Sequence, residues 1–281
     1  MLHTCCFCLS LLYWVGQVFL LELHFVRKKK PKQLHSCWRK TVRINKKYDF
    51  LLWDVDGTLL DFSYSARNSL RKCLEDISVV PTEEMIDRYE VINDGWWKRL
   101  ERGEVTKSQL LTGRFEDFFR EYGIVCPDLP NFLKAYQTSL GLIYRYIEEA
   151  GETSLAICKR LQEMGYHQYA VTNGVTVTQE MKLGLSGFTE VFEKLFISEQ
   201  LGAPKPQREF FDACFEELKQ RHESFEKTKV LIIGDSLTSD IKGGANAGIH
   251  TCWYHPQEDG QSGTSEVTYE IRTLREIFEI V

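Results

Sequence analysis

Residues 48–61 read Tyr-Asp-Phe-Leu-Leu-Trp-Asp-Val-Asp-Gly-Thr-Leu-Leu-Asp, an apolar run followed at once by two carboxylates one residue apart. Phe50, Leu51, Leu52 and Trp53 have the continuous apolar character of a central parallel strand covered on both faces, and Gly57 breaks it. Asp54 and Asp56 are therefore expected at the carboxyl edge of an open α/β sheet, where ligands bind. Carboxylates this close repel each other, and a cation or a shared proton relieves them. With a magnesium ion beside it, Asp54 can attack a phosphorus atom while Asp56 protonates the departing alcohol. The competing reading of this stretch alone is an Asx-turn, in which Asp56, Gly57 and Thr58 only close the strand.

Three later stretches offer matching chemistry. Residues 169–174, Tyr-Ala-Val-Thr-Asn-Gly, form a second strand that ends in the Thr172 hydroxyl. Asn173 and Gly174 then present backbone N–H groups ahead of a helix, a cradle for an anion. Lys205 stands between Pro204 and Pro206, where a stiff backbone can hold a positive charge against phosphate and Asp54 together. Residues 230–240 read Val-Leu-Ile-Ile-Gly-Asp-Ser-Leu-Thr-Ser-Asp, so Asp235 leaves a third buried strand as a metal ligand. Asp240 falls near the next helix start, either touching the metal through water or capping that helix. Taken alone, the Thr172 stretch is also a plain strand-to-helix turn and Lys205 a surface lysine.

Four such motifs in this order resemble the haloacid dehalogenase superfamily of phosphohydrolases from about Tyr48 to the C-terminus. The resemblance implies an α/β fold: a Rossmann-like parallel sheet core with an inserted helical cap. It implies Mg2+ held by Asp54, Asp235, Asp240 and Asp56, the last through its backbone carbonyl. Residues 56–62, 97–103, the Arg114-Phe115 pair and 234–244 further resemble the bacterial house-cleaning pyrimidine 5′-nucleotidases of that superfamily. Similar caps occur in N-acylneuraminate 9-phosphatase.

The periodicity between Asp61 and about Glu152 is helical throughout. Helices are expected at 65–77, from the Thr82 cap to Gly103, from the capping box Thr106-Lys107-Ser108-Gln109 to Gly123, and around Phe132, Tyr136 and Leu140. The resemblance implies that this helical stretch, residues 62–150, is the cap, with 46–61 and 151–281 as the core. Beyond Glu152, helices alternate with strands at 167–172, 194–198, 229–234 and 251–255, the pattern of a parallel sheet.

The first 45 residues are an apolar and basic leader with no counterpart in the family. Their uncharged run from Cys5 to Leu21 lacks the flanking signals of a signal peptide. A start assigned too early is favoured over a membrane anchor through residues 5–26, because the run reaches spanning length only by admitting Glu22 and His24. Cys5 and Cys8 have no second pair with which to bind zinc. A formal charge of −5 with one basic block, at 27–32, argues against nucleic acid as a partner. The scattered cysteines read as reduced thiols of a cytoplasmic protein.

The reading that results is a magnesium-dependent phosphomonoesterase acting through an aspartyl-phosphate on Asp54. Catalysis rests on Asp54, Asp56 and Lys205, and phosphate binding on Thr172, Asn173 and Lys205. The expected partner is a small phosphate ester, a nucleoside monophosphate, handled by a monomer or weak dimer. In the cap, Phe62, Trp96, Trp97 and Phe115 are candidates for contact with the leaving group, with Trp96 and Trp97 unable to face the same side of one helix. Sugar-phosphate or phosphoglycolate hydrolysis, a phosphomutase, and a catalytically silent membrane-tethered protein are the alternatives.

Overall fold

A computed structural model of the chain describes residues 46–257, 260 and 263–281. The leader at 1–45, with its anchor, mistaken-start and cysteine readings, lies outside the described residues. Among the described residues no helix is long and apolar enough to cross a membrane.

Strand β1 (Phe50–Trp53) is followed by four helices: α1 (Phe62–Asp76), α2 (Glu83–Glu101), α3 (Lys107–Tyr122) and α4 (Leu129–Leu142). A short antiparallel pair, β2 (Glu148–Glu149) and β3 (Glu152–Thr153), leads into α5 (Ser154–Glu163), β4 (His167–Thr172) and α6 (Thr176–Leu185). Next come β5 (Lys194–Ile197), the one-turn α7 (Ser198–Leu201), α8 (Arg208–Arg221) and β6 (Val230–Gly234). A π-helical turn at Leu237–Ile241 opens α9 (Lys242–Ala247), and β7 (His250–Tyr254), β8 (Tyr269–Ile271) and α10 (Ile277–Ile280) complete the chain.

The sheet is parallel throughout, in the order β5-β4-β1-β6-β7-β8. Strand β1 lies inside it, with Trp53 in register with Ala170 on one side and Ile233 on the other. All four of its residues are buried because alternate side chains enter different cores. Leu51 and Trp53 pack with Ile157, Leu161 and Leu183 on one face, whereas Phe50 and Leu52 pack with Phe210, Phe211 and Leu218 on the other. The four helices after β1 enclose an apolar cluster of their own, built on Leu70, Ile86, Tyr89, Phe115, Phe118 and Tyr136.

Local signals set the helix limits. The Thr82 hydroxyl accepts from Met85 N, both arms of the Thr106–Gln109 capping box are made, and Gly123 ends α3 at φ 63°. The links into and out of the four helices run side by side. Asp61 N donates to Arg145 O and Ile147 N to Leu59 O, and the Asp61 carboxylate both caps α1 and pairs with Arg145. Strand β8 and the β2–β3 pair were absent from the sequence expectations, since two or three residues are too few for a period to register.

Candidate active site

The sheet order brings four chain segments to one edge. Asp54 and Asp56 follow β1, Thr172 ends β4, Asp235 follows β6, and Lys205 sits in the loop after α7. A cavity of about 350 Å³ opens there. Its floor includes Asp54, Asp56, Thr172, Asn173, Lys205, Asp235 and Asp240, and its roof includes Phe62, Tyr89, Asn93, Trp97 and Glu101 from the helices.

Lys205 is the hub of the floor. Its ammonium donates to Asp54 Oδ1 and Asp240 Oδ1, each at 2.7 Å, and to Val171 O at 2.8 Å. Three donors meet three acceptors, so this fully buried lysine leaves no hydrogen-bonding capacity unused. Burial alone would lower its pKa, but the Asp240 and Asp54 charges outweigh burial and hold it above the ordinary lysine value. The backbone of Lys205 is fixed by Asn173, whose Oδ1 accepts from Lys205 N at 2.8 Å while its Nδ2 donates to Lys205 O at 2.9 Å. The Asn173 side chain thus positions the lysine loop, a task its place in the sequence did not suggest. The Gly174 amide donates to Thr172 Oγ1 at 2.9 Å, so one of the two backbone donors expected to be free already has a partner.

Carboxylate oxygens of Asp54, Asp235 and Asp240 all lie within 4.8 Å of one another. Burial pushes Asp54 up to about 7, against the pull of Lys205 and with help from the charges of Asp240 and Asp56. Burial and the charges of Asp54 and Asp240 also drive Asp235 well above the usual carboxylate range. The three groups hold more negative charge than Lys205 neutralises, and a hard divalent cation fits a set made only of oxygen donors. Gly57, at φ +93°, gives the close approach: a Cβ there would come within 2.4 Å of Asp235 Oδ2. Asp240 lies in the π-helical turn and accepts from Ser236 N at 3.1 Å, bracing that turn while it holds Lys205.

The Asp56 side chain has partners of its own. It turns away from the three other aspartates and accepts from Gln179 Nε2 and Lys182 Nζ, each at 2.6 Å. Lys182 is buried, lies on α6 one turn after Gln179, and was missed in the sequence. A lysine and a glutamine three residues apart give no signal until the fold aims α6 at β1.

The roof sorts the aromatic candidates. Phe62 and Trp97 line the cavity. Trp96 does not; it donates to Asp117 Oδ2 at 2.9 Å and lies under the Arg99 guanidinium. Phe115 also turns away, fully buried among Tyr89, Phe132 and Tyr136 in the helical cluster. Trp96 and Phe115 are packing residues: adjacent positions on α2 point to different faces, Phe115 lies on α3, and spacing alone does not say which face meets the site. Two contacts tie roof to floor: Thr238 Oγ1 donates to Glu101 Oε2 at 2.6 Å, and Lys107 donates to the carbonyls of Asn173 and Gly174.

The family model of the haloacid dehalogenase-like hydrolases matches residues 48–248, which span this entire floor. The chain belongs to that family. This haloacid dehalogenase-like hydrolase is 37% identical over 245 residues to the HAD-hydrolase YfnB of Bacillus subtilis, covering 84% of this chain and 96% of the relative. It is 35% identical over 235 residues to the pyrimidine 5′-nucleotidase PynA of Streptococcus pneumoniae, covering 83% and 94% respectively. A crystal structure of YfnB bound to magnesium has a TM-score of 0.74 at 38% identity, covering 84% of this chain and 99% of that one.

Proposed function

We propose that this hydrolase is a magnesium-dependent phosphomonoesterase that cleaves nucleoside 5′-monophosphates, pyrimidine ones first, through a phosphoryl-aspartate on Asp54. The observation that carries this reading is a single cavity joining the aspartate–lysine floor to the faces of Phe62 and Trp97. A phosphoryl group on the floor leaves its ester substituent toward those rings. Stacking of a flat base on an aromatic face contributes about 1 to 3 kcal/mol. The similarity to PynA, a pyrimidine 5′-nucleotidase, supports the same substrate class.

Asp54, Asp235 and Asp240 would hold the cation, with the Asp56 carbonyl as a further donor. When bound, the ion supplies positive charge against the phosphoryl oxygens and the attacking carboxylate. The residues of the chain do the rest. Lys205 balances the charge of Asp54 and Asp240, and the Thr172 hydroxyl with the Asn173 amide orients the phosphoryl oxygens. An Asp54 oxygen bonds to phosphorus as the ester P–O bond breaks, and the leaving oxygen takes a proton from Asp56. Asp56, then a carboxylate between Lys182 and Gln179, accepts a proton from the water that attacks the phosphoryl-aspartate. Inorganic phosphate leaves and Asp54 is restored.

The test is a side-by-side kcat/KM series on the full chain with dUMP, dTMP, UMP, N-acetylneuraminate 9-phosphate, phosphoglycolate and β-glucose 1-phosphate. A pyrimidine nucleotide should lead. A sugar phosphate or phosphoglycolate turned over at least tenfold better than every pyrimidine nucleotide would overturn the substrate class and leave the phosphatase chemistry intact.

A further inference from the structure

A second group of metal-capable side chains lies at the other edge of the sheet. His167 opens β4, Glu193 directly precedes β5 and His222 directly follows α8, and their ligand atoms lie within 4.8 Å of one another. Glu193 bridges the two rings: Oε1 is 2.5 Å from His167 Nδ1 and Oε2 is 3.1 Å from His222 Nε2. The Tyr169 hydroxyl donates to Glu193 Oε2 at 2.7 Å and lies 2.6 Å from His222 Nε2.

We infer that His167, Glu193 and His222 form a binding site for a borderline transition-metal ion, of which zinc is the type. Two imidazoles and a carboxylate, with a fourth position left over, are a ligand set that zinc, nickel and copper prefer and magnesium does not. Metal–ligand bonds of about 2.0–2.1 Å put tetrahedral ligand atoms about 3.3 Å apart, and the ligand atoms here, 2.5 and 3.1 Å apart across Glu193 and all within 4.8 Å, bracket that spacing. The two sites would sort metals by chemistry: all-oxygen donors at the catalytic edge, imidazole nitrogen here.

The scaffold is fixed before any ion arrives. Backbone N–H groups of His167, Glu193 and His222 donate to Asp49 O, Gln168 O and Leu218 O at 3.0, 2.9 and 2.9 Å. The Phe50 ring stacks on His167 at 5.4 Å and meets His222 edge-on at 5.1 Å, closing the inner side. The outer side is open, with side-chain exposures of 40% for His167 and 34% for Glu193. Burial alone would raise the Glu193 carboxyl, but bonds from His167 and Tyr169 hold it below the ordinary glutamate value, ready to ligate. Strand β4 separates the site from Thr172 by roughly 16 Å at about 3.3 Å per residue. The ion would therefore clip β4, β5 and α8 together without touching phosphate, and the inference does not depend on the substrate.

The competing state is the same three side chains sharing protons only, and metal binding must displace the protons that the rings share with Glu193. The experiment uses the full chain, stripped with chelator and held in saturating Mg2+ to fill the aspartate site. Crystals soaked in zinc chloride should give an anomalous peak at the zinc edge among His167, Glu193 and His222. In titration, His222→Gln and Glu193→Gln should each weaken that binding at least tenfold while keeping the zinc-free melting temperature of the parent. Absence of the peak overturns the inference, as does wild-type zinc affinity in both variants, which would move the ion to other groups such as the nine cysteines. If a variant fails to fold, the zinc-edge map of the parent protein decides.

Discussion

Lys182 Nζ lies 2.6 Å from Asp56 Oδ1, with the lysine side chain 1% exposed and the aspartate 21%. A buried ammonium needs an opposite charge beside it, so this contact fixes where the Asp56 carboxyl sits, and in the proposed mechanism Lys182 is a positioning residue for Asp56. Lys182→Met should lower kcat at least tenfold and let phosphoenzyme accumulate in rapid-quench experiments. Unchanged kcat with no accumulation would remove Lys182 from the mechanism.

Asp54→Asn should fold as the parent does and lose a thousandfold or more of activity, because an amide cannot form the acyl phosphate. Retention of a tenth of wild-type turnover would refute the covalent route. Asp56→Asn should also be crippled, but with a burst of phosphoenzyme from an activated ester and slow turnover afterwards.

Chelation should abolish activity and added Mg2+ should restore it, since Asp54, Asp235 and Asp240 otherwise face one another with only Lys205 between two of them. Mg2+ should also raise the melting temperature of the chelated protein by mass action. Full turnover in chelator would exclude the aspartate cluster as a metal site.

The two aromatic classes should separate in kinetics. Trp97→Ala should raise KM for pyrimidine nucleotides about tenfold, the equivalent of one stacked base, at little cost in stability. Phe115→Ala should cost about 3–5 kcal/mol in denaturant unfolding, because it empties the centre of the helical cluster, while KM stays near wild type. The opposite pattern would reverse the assignment of the two faces.

Burial holds Lys107 down to about 8, with Arg114 adding to the push and Glu199 and Asp56 opposing it. A lysine whose folded value lies below its unfolded value costs stability while protonated, in full below about 8. That cost fades as the pH rises toward the ordinary 10.5. Wild type should therefore gain stability on Lys107→Met between about pH 7.5 and pH 10, as read by paired thermal melts. A difference independent of pH would mean that the ammonium is not desolvated by the roof.

The floor of the site was legible because each part of it is local. An apolar strand followed by an acidic or hydroxyl residue announces itself within about six positions, and β1, β4 and β6 all do so. Caps at Thr82 and Thr106 and the glycine stop at Gly123 are likewise written in neighbouring residues, so the four helices could be read from the chain. Three-dimensional packing decided the rest. It put Asp56 on Lys182 and Gln179, 126 and 123 positions away, used the Asn173 side chain to hold Lys205, and turned Trp97 inward but Trp96 and Phe115 away. A residue's type sets what bonds it can make, and residues close in sequence fix the elements. Which partner it meets depends on strand order and helix rotation, which arise only when distant apolar faces are buried together.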